Sequence, residues 1–188
     1  MKIIKTASEF SHWRNSQSQT VGFVPTLGAL HQGHLSLVRA SKEQCDLSVV
    51  SIFLNPTQFS ANEDLASYPD TLDRDVRRLE DLSVDVLFLP DKKEMYDNVG
   101  GVQVPETNLF MRLEGSSRPH FFYGVTTVVA KLFNVICPTH TFFGEKDAQQ
   151  LRIIEQMITN MQYSIILIAC PTIRDENGLA LSSRNAYL

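Results

Sequence analysis

Three cysteines in 188 residues, at positions 45, 137 and 170, are too few and too widely spaced for a disulfide framework or a close zinc-binding pair. The compartment expected for such a chain is a reducing, cytoplasmic one. No apolar run approaches the ~20 residues that a membrane helix needs, and the opening MKIIKTASEF has no continuous apolar signal core. No excess of positive charge is present either: 17 Lys and Arg against 21 Asp and Glu leave a net charge of −4. The basic pairs Arg77-Arg78 and Lys92-Lys93 lie among acids, which argues against a general nucleic-acid binder. Internal repeats, low-complexity tracts and an HEXXH zinc motif are all missing. With 43% hydrophobic and 20% charged residues, the sequence reads as one ordinary globular domain spanning 1–188.

Short apolar, β-branched runs at 21–24, 48–53, 85–89, 141–143 and 164–170 alternate with helix-period segments at 72–82, 125–136 and 147–161. The first run is expected to stop at Pro25. After it, Leu35 and Val38 inward with Arg39 and Lys42 outward predict a helix beginning near Gly33. In the helix at 72–82, Leu72, Val76, Leu79 and Leu82 share one side. The stretch 91–119 is rich in turn residues and takes no clear assignment. Strand-helix alternation predicts an α/β fold with a parallel sheet covered on both faces, whose ligands bind at the carboxyl ends of the strands.

That rule selects four polar loops. After the first strand comes PTLGALHQGH (25–34), with His31 and His34 around Gly33 at the expected start of a helix. Unpaired backbone N–H groups and the positive end of the helix dipole suit a phosphate there, and Gly28 and Gly33 allow close approach. After the second strand comes Asn55-Pro56-Thr57-Gln58-Phe59, where Gln58 offers a donor and acceptors and suits a hydroxy acid better than a phosphate. After the fourth comes Gly144-Glu145-Lys146-Asp147 with Gln149 and Gln150; after the last, Pro171-Thr172-Ile173-Arg174 and then Leu181-Ser182-Ser183-Arg184. Lys146 and Arg184 are cations suited to a triphosphate and its leaving pyrophosphate, and the Ser182 and Ser183 hydroxyls can donate to the same oxygens. Asp147 with Gln150 also fits a variant capping box at a helix start.

VGFVPTLGALHQGHLSLVRAS, VVSIFLNPTQF, LEGSSRP, FFGEKDAQQL and GLALSSRNAYL, together and in order, resemble the pantothenate synthetase (pantoate–β-alanine ligase) family of the nucleotidylyltransferase superfamily. The resemblance covers nearly the whole chain. It implies a Rossmann-like, doubly wound sheet of the nucleotidylyltransferase type and a two-step, Mg²⁺-requiring ligation. Pantoate attacks the α-phosphorus of ATP to give pantoyl adenylate and pyrophosphate, and β-alanine then displaces AMP to give pantothenate. By motif, Leu27, Gly28, Ala29, Leu30, His31, Gln32, Gly33 and His34 would contact ATP, as would Gly144, Glu145, Lys146, Asp147, Ile173, Leu181, Ser182, Ser183 and Arg184. Gln58 and Gln150 would hold pantoate, with Gln58 also near β-alanine. His34 matches the histidine usually assigned as the family's proton donor. Asp75, in the helix after Tyr68-Pro69, is the candidate acid near magnesium. The family also implies a homodimer, with no nucleic-acid or membrane partner.

A carboxylic acid with a pKa near ~4 is already ionised at neutral pH, so adenylation needs no general base. His31, His34 and Lys146 are therefore expected to stabilise charge on the phosphates rather than to abstract a proton. Two departures stand out. The family usually reads Arg-Pro-Gly-His-Phe before the helix at 125–136, whereas here Arg118-Pro119 is followed by His120-Phe121-Phe122-Tyr123. Family members also continue into a smaller C-terminal domain that covers the nucleotide. A chain reaching only Leu188 is thus expected to hold the floor of the site without its lid, with weak turnover unless another chain supplies the cover. The alternatives are a domain that binds nucleotide or pantoate with little turnover, and another HxGH nucleotidylyltransferase.

Overall fold

A computed structural model of the chain describes residues 1–59, 71–97, 104 and 107–187. Six strands form one sheet: β1 (Lys2–Ile4), β2 (Val21–Thr26), β3 (Leu47–Ile52), β4 (Val86–Phe88), β5 (His140–Gly144) and β6 (Ile166–Cys170). Their order is β1-β4-β3-β2-β5-β6, and every registered pair is parallel. The helices are α1 (Ala7–Asn15), α2 (Gln32–Gln44), α3 (Leu72–Asp81), α4 (Lys92–Tyr96), α5 (Glu114–Ser117), α6 (Phe121–Ile136) and α7 (Ala148–Asn160).

Successive strand residues point to opposite faces, so the sheet feeds two cores. Val21, Phe23, Val49 and Val86 pack with Phe10 of α1, Phe133 of α6 and Ile154 of α7. Val24, Val50 and Leu87 pack on the other side with Leu35 and Val38 of α2 and Leu79 of α3. The chain builds outward from β2 to β3 and β4, then crosses to β5 and β6 on the opposite flank. That reversal between β2 and β5 is the switch point at which doubly wound sheets open a crevice.

Several boundaries differ from the sequence reading. β2 does not stop at Pro25 but continues to Thr26. Its register with β3 runs to Thr26↔Ile52, whereas its register with β5 ends at Phe23↔Thr141. The Thr26 carbonyl accepts from Phe53 N–H on the β3 side, so Pro25 faces the side where the ladder has already ended and its missing N–H costs no bond. α6 begins at Phe121, four residues before the apolar stripe suggested. β1 and α1 carried too little periodic signal to be read: β1 has three residues with one buried, and α1 buries only Phe10. Within 91–119 lie α4, α5 and a 3₁₀ turn at Asn108–Met111. Tyr68 and Pro69 lie outside the described residues.

On α3 the expected inward face holds for Val76, Leu79 and Leu82, which pack on the α2 side of the sheet, but not for Leu72. Leu72 is exposed at 37%, while Asp75, 1% exposed, shares the buried side with Leu79. A carboxylate goes inward because donors wait for it: Leu30 N–H donates to Asp75 Oδ1 (3.0 Å) and the Thr71 hydroxyl to Oδ2 (2.9 Å).

Candidate active site at the β2–β5 switch point

The loop between β2 and α2 owes its shape to contacts from behind. Gly28 (φ +85°) and Ala29 (φ +48°) take left-handed backbone, a turn that an isolated chain would rarely hold. Asp75 secures it through Leu30 N–H, and Arg78 donates to the Leu30 carbonyl. α2 then starts with His31 as its N-cap.

The two histidine side chains both cap backbone N–H groups at the start of α2. His31 Nδ1 accepts from Gly33 N–H (3.1 Å), and His34 Nδ1 accepts from His31 N–H (3.4 Å), with ring centroids 4.1 Å apart. Gly33 permits this stacking, because a Cβ there would stand 2.8 Å from His31 Cε1. Backbone N–H groups can only donate, so in each neutral ring the hydrogen sits on Nε2. Burial, then His31, then Lys146 hold His34 down from 6.5 to about 3. Burial, Lys146 and Arg78 likewise lower His31, against an opposing pull from Asp147. At neutral pH the pair is therefore uncharged, with two Nε2–H donors beside a lysine.

A cavity of about 290 Å³ opens over these groups. Of the sequence-predicted residues, Leu27, His31, Gly33, His34, Gln58, Gly144, Lys146, Asp147, Gln150, Ile173, Leu181, Ser182, Ser183 and Arg184 line it. The four loops do converge. The last returns through a tight hairpin in which Arg174 pairs with Ala180 and Leu181 N–H donates to the Ile173 carbonyl (2.9 Å), bringing the SSR segment back beside Gly33. Lys146 Nζ lies 3.1 Å from Asp147 Oδ1. Asp147 is the N-cap of α7 yet makes no side-chain cap bond, so the capping box with Gln150 does not form and Gln150 faces the cavity.

Gly28, Ala29, Leu30, Gln32, Glu145 and Asp75 do not line the cavity. Ala29 and Leu30 are buried as loop core, Gln32 Oε1 accepts from Arg39, and Glu145 stands near Cys170, whose thiol burial and that carboxylate push up. Asp75 supports the loop from behind. Among the described residues no three His, Cys, Asp or Glu side chains cluster as a metal cage.

Sequence reasoning missed part of the wall. Phe121, Val125, Val128, Val129 and Leu132 of α6 line the cavity beside Phe142 and Phe143 of β5. An apolar helical stripe reads the same whether it faces protein or a ligand. Arg118 was named in the sequence only within LEGSSRP and the departing Arg118-Pro119 stretch, with no role assigned. Its guanidinium lies 3.8 Å over the Phe121 ring, pairs with Glu114 and donates to the Gln58 carbonyl (3.4 Å).

A doubly wound parallel sheet with an HxGH helix start and cations gathered at its switch point defines a phosphate-binding α/β domain of the nucleotidylyltransferase type. The chain belongs to the pantoate–β-alanine ligase family, whose model matches residues 2–188. It is similar to the pantothenate synthetase of Fervidobacterium nodosum, at 48% identity over 100% of this chain and 68% of that one. The Thermotoga petrophila pantothenate synthetase is 49% identical with the same coverage. Among solved structures, the Francisella tularensis pantoate–β-alanine ligase complexed with β,γ-ATP and β-alanine superposes with a TM-score of 0.94 at 43% identity, covering 100% of this chain and 73% of that one. The Thermus thermophilus pantothenate synthetase gives a TM-score of 0.93 at 43% identity, with 100% and 68% covered.

Proposed function

We propose that this chain carries out ATP-dependent ligation of pantoate to β-alanine through a pantoyl adenylate. The observation that carries the reading is the pairing, in one cavity, of two neutral Nε2–H donors beside Lys146 with the uncharged amides Gln58 and Gln150. The first set suits phosphate oxygens and the second the hydroxyls and carboxylate of a hydroxy acid. A pantoate carboxylate oxygen forms a bond to the α-phosphorus while the bond from that phosphorus to the β-phosphate bridging oxygen breaks. The electron pair leaves on pyrophosphate. His31, His34, Lys146, Ser182, Ser183 and Arg184 meet the charge that gathers there. In the second step the β-alanine nitrogen attacks the acyl carbon, AMP departs, and the amine releases its protons.

The apolar wall of α6 and β5 excludes water from the mixed anhydride, which hydrolysis would otherwise consume. Mg²⁺ fits this site as a companion of the triphosphate, because it keeps waters and phosphate oxygens and takes only one or two carboxylates. Asp147, on the cavity wall, would be the acid to hold it, through Oδ2, since Oδ1 accepts from Lys146, whereas both Asp75 oxygens accept protein donors. A homodimer belongs to the same proposal, and sedimentation velocity reads it directly.

The test is a coupled assay with each substrate omitted in turn. Pyrophosphate release that requires pantoate, followed by AMP release that requires β-alanine, is the expected result. Pantoate-independent pyrophosphate release would point to another nucleotidyl transfer, and nucleotide binding without release to a domain that only binds.

A further inference from the structure

Gln58 sits on the single 3₁₀ turn Pro56–Gln58, whose N-cap is Asn55. Asn55 is fully buried, and every polar position of its amide is occupied. Nδ2 donates to the Gly124 carbonyl (3.1 Å) and to Gln58 Oε1 (3.0 Å). Oδ1 accepts from Thr57 N–H (3.3 Å), the Thr57 hydroxyl (2.9 Å) and the Tyr96 hydroxyl (2.6 Å). Two of these partners allow one role only: a backbone carbonyl must accept and a backbone N–H must donate. The Asn55 amide therefore has one orientation, and Gln58 must turn its oxygen toward it.

The turn is backed directly by α6. α6 passes so close that a Cβ on Gly124 would stand 2.5 Å from the Thr57 carbonyl oxygen and 2.7 Å from Gln58 N. With Oε1 held by Asn55, the remaining polar atom of Gln58 is Nε2, and Gln58 lines the cavity. We infer that Asn55 is a positioning residue that fixes the hydrogen-bond polarity of Gln58, so that Gln58 presents N–H donors to the acid substrate and requires a lone pair from it. Tyr96, donating to the same Asn55 oxygen, polarises that amide and strengthens its grip on Gln58. This rests on the pantoate reading for the identity of the substrate but not for the orientation itself.

Two measurements separate those claims. In the ligand-free protein, side-chain amide ¹⁵N–¹H spectra are expected to show Asn55 Nδ2 protons shielded from solvent exchange and Gln58 Nε2 protons exchanging freely. Shielded Gln58 protons with exchanging Asn55 protons would overturn the assignment, whatever the substrate proves to be. Pantoate and ATP affinities are then compared in Asn55→Asp and Tyr96→Phe. A carboxylate at 55 repels Gln58 Oε1 and turns the amide over, so pantoate affinity is expected to fall about tenfold or more with ATP affinity nearly unchanged. Tyr96→Phe keeps the fold and is expected to give a smaller loss with the same selectivity. Equal losses for both ligands in Tyr96→Phe would mark a merely structural role and defeat the inference. If wild type binds no pantoate, the functional reading fails while the spectra still decide the orientation.

Discussion

The ring nitrogens of His31 and His34 decide how this site handles charge. A histidine acting as an imidazolium acid loses its effect as pH rises through its pKa, but His34, held near 3, is already neutral at physiological pH. Because kcat/KM reports groups of the free enzyme and free substrate, kcat/KM for ATP in adenylate formation is expected to show no limb from His34 between about pH 6 and 8. A fall across that range that disappears in His34→Gln would show that a His34 imidazolium is required. Replacing His34 with Ala removes a donor aimed at developing charge and is expected to slow single-turnover adenylate formation by about 10²-fold. If only amide formation slows, the charge-stabilising role is wrong. Asp75 gives a prediction of another kind: Asp75→Ala leaves Leu30 N–H buried without its acceptor and is expected to cost about 2 kcal/mol in urea unfolding. The histidines, Lys146 and the glutamines were legible because turn chemistry and loop position single them out. The tautomers and the service of Asp75 were not, since Asp75 reaches Leu30 across 45 positions that no local pattern connects.

Among the elements, the strands and helices that bury one periodic face were readable, and those held by a few tertiary contacts were not. α3 shows why periodicity alone misleads. Its apolar residues proposed one face, but donors at Leu30 and Thr71 drew a carboxylate inward and left Leu72 in solvent. α6 was legible as a helix from its apolar stripe, and that stripe also walls the cavity. Its first turn packs directly on the Pro56–Gln58 turn through Gly124. Gly124→Ala is expected to push the Pro56–Gln58 turn outward, weakening pantoate binding more than ATP binding, as titration calorimetry of each ligand would read. Comparable losses for both would mean that the turn can give way without disturbing Gln58.

At the scale of the whole molecule, alternating strands and helices were enough to predict a parallel sheet with a crevice at strand ends. The order of the strands was not readable, because it depends on which apolar faces meet across the sheet. Burial of a neutral histidine pair leaves a mark on global stability. Unfolded histidine titrates near 6.5, while folded His34 stays neutral to about 3, so the unfolded chain binds more protons between those values. Stability from this source is complete above about pH 6.5 and declines as pH falls toward 3, a trend that His34→Gln should flatten in denaturant titrations across that window.

The sheet also has one narrow seam. β2 and β3 are registered along six positions, but β2 and β5 along two, Gly22↔His140 and Phe23↔Thr141. His31 and His34 belong to the half of the chain before that seam, and Lys146 and Arg184 to the half after it. Under the proposed function, a triphosphate that touched all four would fasten the halves together, making nucleotide a clasp as well as a reactant.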